Sequence, residues 1–207
     1  MSYLDFKKAL KFAPYCQAYK TGGGADEVTI QRAEKMLGIT FSKQCREFYK
    51  ICNGLSFDCY DVWGVYPDKP EILADNAVGE TLAARMNWGL PEKWVALQDD
   101  GDDGYAYYLD YSHLNDQGEP RVIWAIYTDG MHLEDELNAY FEEKMRAKEQ
   151  ARAQAGKDED EYDEDDEDEY DEMPEWYCRY QIEEVVAEDL GQYLLEQVKY
   201  VLEESEE

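Results

Sequence analysis

Positive charge and histidine are scarce in this chain. Its 207 residues carry 20 Lys and Arg against 49 Asp and Glu, with two His, for a formal net charge of −29. A phosphate backbone would be repelled unless the cations were gathered into a patch, and the sequence holds no basic cluster. His113 and His132 fall in no HExxH or related ligand spacing, and there is no Gly-x-Ser-x-Gly elbow. Long apolar runs are also missing. Residues 122–127 form one of the longest, far short of the roughly 20 residues a spanning helix needs. Met1-Ser2-Tyr3-Leu4-Asp5 lacks the basic start and apolar stretch of a signal peptide, so a cytoplasmic location is the expectation. The cysteines, Cys16, Cys45, Cys52, Cys59 and Cys178, include no CxxC pair, which removes zinc-ribbon and thioredoxin-like motifs. Their odd number fits free thiols in a reducing compartment. Cys45, Cys52 and Cys59 recur every seven residues, but Asn53-Gly54 interrupts the period and no His is near. They are therefore read as core packing. No metal and no cofactor is expected.

What is present is enough to fold. Hydrophobic residues make up 44% and aromatic residues 14%, sufficient for a sizeable core. The acidic excess is uneven: 13 of the 15 residues in 158–172 are Asp or Glu. Such a run repels itself and has nothing to bury, so a disordered or mobile loop is expected there. The expected organisation is one α+β domain over residues 1–156, an acidic loop at 157–173, and a C-terminal segment, 174–207, whose helix packs back on the same domain.

Local patterns supply the elements. Leu4, Ala9, Leu10 and Ala13 predict a helix over 3–19 that Pro14 kinks or ends. Thr21-Gly22-Gly23-Gly24 is read as a flexible loop; it lacks the Lys-Ser/Thr of a phosphate-binding loop. Asp26 or Thr29 caps a helix burying Ile30, Ala33 and Leu37 and ending at Gly38. Ser42 caps another over 43–52. Residues 57–66 predict one or two strands. A helix is expected over 71–87 with Ile72, Leu73, Leu82 and Met86 as its apolar face. Strands at 94–97, 105–109 and 121–127, joined by turns at 99–104 and 115–120, predict an antiparallel sheet. Residues 132–155 are helix-forming, 176–180 read as a strand, and Ile182, Val185, Val186, Leu190, Tyr193, Leu194, Val198, Val201 and Leu202 trace an amphipathic closing helix.

The turn at 99–110 invites comparison with a calcium loop, with Asp99, Asp103 and Asp110 at ligand positions and Gly104 at the required glycine. However, Gly101 stands where a third ligand is needed, and the flanks read as strands, so a polar hairpin turn is the reading. The acidic run reads either as a solvating linker or as an anionic arm for a cationic partner.

Three motifs together resemble the SUKH superfamily, which contains fungal regulators of cell-wall glucan synthesis and bacterial immunity proteins. The first is Ile30-x-x-Ala33-Glu34-x-x-Leu37-Gly38-Ile39-x-Phe41-Ser42, followed by Phe48-Tyr49 and Asn53-Gly54-Leu55. The second is Trp94-Val95-Ala96-Leu97-Gln98-Asp99-Asp100-Gly101-x-x-Gly104-x-x-Tyr107-Tyr108-Leu109-Asp110. The third is Gly118-x-x-x-Val122-Ile123-Trp124. They span roughly 27–127, with a closing helix at about 186–203. Phe41-Ser42 stand where the family commonly has Leu-Pro, and 130–174 looks like an insertion. The resemblance implies a twisted, mostly antiparallel sheet flanked by helices, no catalytic residues, and a binding role. Bacterial members neutralise a cognate toxin by covering its active site, and such toxins are often nucleases with basic clefts. The alternative is a non-catalytic regulator or adaptor in signalling or cell-wall synthesis; an enzyme would need His113 or His132 beside a nucleophile. On charge alone, the residues assigned to a basic protein partner are Asp99, Asp100, Asp102 and Asp103 of the turn. Asp163, Glu164, Asp165, Asp166, Glu167 and Asp168 of the run are assigned with them. Neither nucleic acid nor membrane is an expected partner.

Overall fold

The computed structural model describes residues 2–101, 104–128, 140, 142–144, 146–147 and 179–204. The chain divides into one unit of Met1–Tyr127 with Tyr180–Glu207 and a second of Thr128–Arg179. In the second unit the described residues 140, 142–144, 146 and 147 are helical, and Arg146 pairs with Glu142 at 3.1 Å. The acidic run and Trp176, Tyr177 and Cys178 lie outside the described residues.

The first unit opens with α1 (Ser2–Phe12), which ends where Pro14 starts a 3-10 turn, Ala13–Tyr15. Its buried stripe is Phe6, Ala9 and Ala13; Leu4, expected inside, is 58% exposed. The stripe is phased on Phe6 because the larger ring fills the core. β1 (Lys20–Thr21) follows. Two of the three glycines after it stand in close approach to other backbone, which the flexible loop expected did not foresee, while Gly23 is open. A Cβ on Gly22 would stand 2.0 Å from the Asn53 carbonyl oxygen, and one on Gly24 2.5 Å from that of Lys50.

α2 (Glu27–Leu37) is capped by Asp26, which accepts from the Thr29 amide at 2.7 Å, and stops at left-handed Gly38. α3 (Lys43–Ile51) is capped by Ser42. Ile30, Ala33, Leu37, Cys45, Phe48 and Tyr49 face the core, as their spacing predicts. β2 (Leu55–Phe57) and β3 (Tyr60–Val62) form a hairpin in an antiparallel sheet of order β1-β2-β3. Its turn places Asp58 at φ 50 and leaves Cys59 exposed. Core packing therefore holds for Cys45 and Cys52 and is wrong for Cys59.

The helix expected over 71–87 starts later, as α4 (Ala77–Trp88), and buries Ala77, Val78, Gly79, Thr81 and Ala84. Ile72 and Leu73 lie in exposed turns before it, and Met86 is 81% exposed. Close approach selected this face over bulk. A Cβ on Gly79 would meet the Pro70 carbonyl oxygen at 2.6 Å, and Thr81 donates to the Ala77 carbonyl and accepts from the Ala96 amide.

β4 (Trp94–Asp99), β5 (Tyr105–Leu114), β6 (Pro120–Thr128) and β7 (Arg179–Ala187) form a second sheet in that order. The β4-β5 and β5-β6 pairs are antiparallel. The closing helix, α5 (Leu190–Glu204), starts well after Ile182. Ile182, Val185 and Val186 lie on β7 instead, where β-branched side chains are favoured. Asp189 begins the helix, its carboxylate accepting from the Gln192 amide at 3.0 Å. Buried Gln44 fixes it from a distance: its side-chain oxygen accepts the Gly191 amide at 2.7 Å, while its own amide donates to Glu119 at 3.2 Å. α5 packs on α1 and buries Leu190, Tyr193, Leu194, Val198 and Val201. The fold is α+β, as the sequence predicts.

Candidate functional site

Two buried asparagines shape the region opposite the β4-β5 turn. Asn53, at φ 42 after α3, accepts the Val65 amide at 2.8 Å and donates to the Val65 carbonyl at 3.4 Å, so its side chain substitutes for a neighbouring strand. Asn76, at the N-cap of α4, accepts the Tyr66 amide at 3.1 Å and donates to the Lys69 and Ile72 carbonyls at 3.0 and 2.9 Å. Between them, the Gly64 amide donates to Asp75 and the Trp63 amide to Leu97 on β4. Gly64 is required there because a Cβ would stand 2.3 Å from the Asn53 oxygen. These bonds hold Trp63, Ala74 and Asp75 against the end of β4.

The result is a cleft of about 490 Å³ whose lining includes Trp63, Glu80, Trp88, Asp99, Tyr105 and Tyr108, with Tyr127 and Tyr180 completing its aromatic walls. A recess of about 350 Å³ adjoins it through Trp63, Ala74 and Asp99, adding Asp61, Asp75 and Asp100. Among the described residues, neither lining contains a Lys, Arg or His. Glu80 projects from the first turn of α4; burial raises its carboxyl above the usual range, and Asp99 raises it further. Burial and a hydrogen bond with Tyr180 push up the Tyr108 phenol. The rings pack on one another: Tyr127 lies 5.4 Å from Tyr180 and 5.8 Å from Trp88.

The sequence-assigned residues divide sharply. Asp99 is exposed, and its carboxylate accepts the Gly101 amide at 3.1 Å, which shapes the turn. Asp100 accepts the Trp124 indole N–H at 3.1 Å, and Trp124 stacks on Tyr105 with ring centroids 4.6 Å apart. Asp102, Asp103, Asp163, Glu164, Asp165, Asp166, Glu167 and Asp168 lie outside the described residues. Asp61, Asp75 and Glu80 were missed. They come from β3, the turn before α4 and α4 itself, all well upstream of Asp99, and no local pattern joins them to it.

His113 lies on β5. Its Nδ1 faces both Asp110 at 3.0 Å and Ser112 at 2.9 Å, and the Ser112 hydroxyl donates to Asp110. A nucleophile relay needs the acid on one ring nitrogen and the hydroxyl on the other, and here both meet the same one. His132 lies outside the described residues. Among the described residues, no group of three or more His, Cys, Asp or Glu could hold a metal ion, and no helix is long and apolar enough to cross a membrane.

The sequence model of the SMI1 / KNR4 family (SUKH-1) matches residues 24–196, most of the chain. A search of the curated proteins finds no match.

Proposed function

Because the chain belongs to the SMI1 / KNR4 family (SUKH-1), we propose that it is an immunity protein that binds a basic protein toxin and neutralises it by covering its active site. The observation that carries this reading is the cleft with its adjoining recess, where, among the described residues, five carboxylates and a wall of aromatic rings stand without a cation. Aromatic side chains anchor protein interfaces, and opposite fields speed encounter and select the partner. A nuclease fits well, since a site that binds nucleic acid must itself be cationic. The chain acts without catalysis of its own, in the reducing interior of the cell, and takes no cofactor.

The test is to purify the product of the gene immediately upstream and measure its activity with and without this chain. Stoichiometric complex formation with loss of toxin activity supports the proposal. If the upstream product is unaffected and the chain instead co-purifies with signalling or wall-synthesis proteins, the adaptor reading replaces it.

A further inference from the structure

The cleft has room for an incoming side chain and the lining of a recognition site. Recognition sites for small groups run from about 300 to 1,000 Å³, mostly apolar, with a few convergent polar groups; this one measures about 490 Å³. Trp88 is 40% exposed and Tyr105 is half-buried, so ring surface is open to an incoming group, with Tyr127 packed beside Trp88. Glu80 is half-buried at the same cleft, and among the described residues no side chain donates a hydrogen bond to it. Burial and Asp99 both hold its carboxyl above the usual range, so a cation placed beside it would offset both effects. An uncharged apolar segment docking here would desolvate the Glu80 and Asp99 carboxylates without bringing a cation to them, which is costly.

We propose that this cleft receives an arginine side chain of the partner, its guanidinium lying among Trp88, Tyr105 and Tyr127 and pairing with Glu80 and Asp99. Arginine suits the site better than lysine for three reasons. Its guanidinium is planar and stacks on rings, it is weakly hydrated and so enters a half-buried site at lower cost, and its fork of donors can serve two carboxylates at once. Lysine brings a compact, strongly hydrated charge that gains less from aromatic walls. The inference rests on the proposed protein-binding role but not on the toxin's identity.

The experiment uses the full chain and three peptides, acetyl-Gly-Gly-X-Gly-Gly-amide with X as arginine, lysine or citrulline, followed by the indole N–H resonances of Trp63 and Trp88. Saturable shifts with the arginine peptide, binding weaker by about fivefold with lysine, and none with citrulline are expected. Glu80→Gln and Asp99→Asn should each weaken the arginine peptide by a similar factor, while Glu203→Gln on α5 should not. Each variant's melting curve confirms that it is folded. Equal binding of arginine and lysine, no shift at Trp63 and Trp88, or an equal loss in Glu203→Gln would overturn the proposal in favour of a diffuse acidic field. If arginine binds as expected but the upstream product is not inhibited, the cleft assignment stands and the immunity reading falls. If inhibition occurs and Glu80→Gln changes neither inhibition nor peptide binding, the reverse holds.

Discussion

Asp110 stands directly opposite Arg121 in the β5-β6 pair, and its fully buried carboxylate receives that arginine's Nε and a terminal nitrogen at 2.9 and 2.8 Å. The Ser112 amide adds a bond at 2.9 Å. The aspartate that closes the Tyr-x-Leu-Asp-type motif is thus a structural anchor for the sheet.

Burial pushes the Asp110 carboxyl upward, but the bonds from Ser112, Arg121 and His113 outweigh it and hold it below the usual range. A carboxyl lowered on folding contributes stability that is present above its unfolded value, about 3.9, and lost as pH falls through the lower folded value. Asp110→Asn should therefore flatten the fall of the urea midpoint in that acid window. Asp110→Ala should cost about 3 kcal/mol at neutral pH, since it strands the arginine. An unchanged acid limb in Asp110→Asn would show that other carboxylates govern it.

Gly64→Ala forces a methyl into the Asn53 backbone. A loss of about 1–3 kcal/mol is expected in equilibrium unfolding, because backbone on both sides must shift. The same change displaces Asp75 and Trp63, so a folded Gly64→Ala protein should also release its partner faster.

Tyr49 offers the opposite sign. Its hydroxyl is buried with no hydrogen-bond partner among the described residues. Tyr49→Phe removes an unsatisfied polar atom from a packed site, and a gain of about 1 kcal/mol is expected. A lower melting temperature would reveal a partner for that oxygen.

Thiol labelling should follow burial. Burial pushes Cys45 up to about 12 and Cys52 up to about 11, and it also raises Cys16. The thiolate is the reactive form, so these three should resist alkylation until the chain unfolds. In a Cys178→Ser background at pH 8, mass spectrometry should find one modified thiol in the native protein, Cys59, and four after denaturation. Native modification of Cys45 or Cys52 would contradict the packing of α3.

Charge should act on binding in two separable ways. Exposed charges are screened beyond about 8 Å at physiological salt, so neutralising Asp163, Glu164, Asp165, Asp166, Glu167 and Asp168 should slow association several-fold and leave dissociation nearly unchanged. Neutralising Asp99 and Asp100 should chiefly speed dissociation, because contact charges set that rate. Surface plasmon resonance on both variants reads the two constants. No change in either variant would move the interface elsewhere.

Much of the fold was legible because its causes are local. Asp26, Ser42 and Gly38 mark helix ends through their own backbone and side-chain chemistry, and the turns at 99–104 and 115–120 announce antiparallel hairpins. The closing helix misled at its start because Ile182, Val185 and Val186 fit either period. Only pairing of 179–187 beside β6 made them a strand. The face of α4 misled because a close-packed helix buries its small residues, which hydrophobic spacing cannot signal.

The candidate site was legible only as charge. Composition shows an acidic protein, and the β4-β5 turn marks Asp99 and Asp100, but nothing local joins them to Asp61, Asp75 and Glu80. The sequence by itself determined the helix caps, the hairpins and the acidic excess, since each depends on neighbours a few bonds away. The cleft was decided by the tertiary structure alone. Its walls come from α4, β4, β5, β6, β7 and the 63–76 loop, and Asn53 and Asn76 hold that loop in place through hydrogen bonds that exist only once the chain has folded.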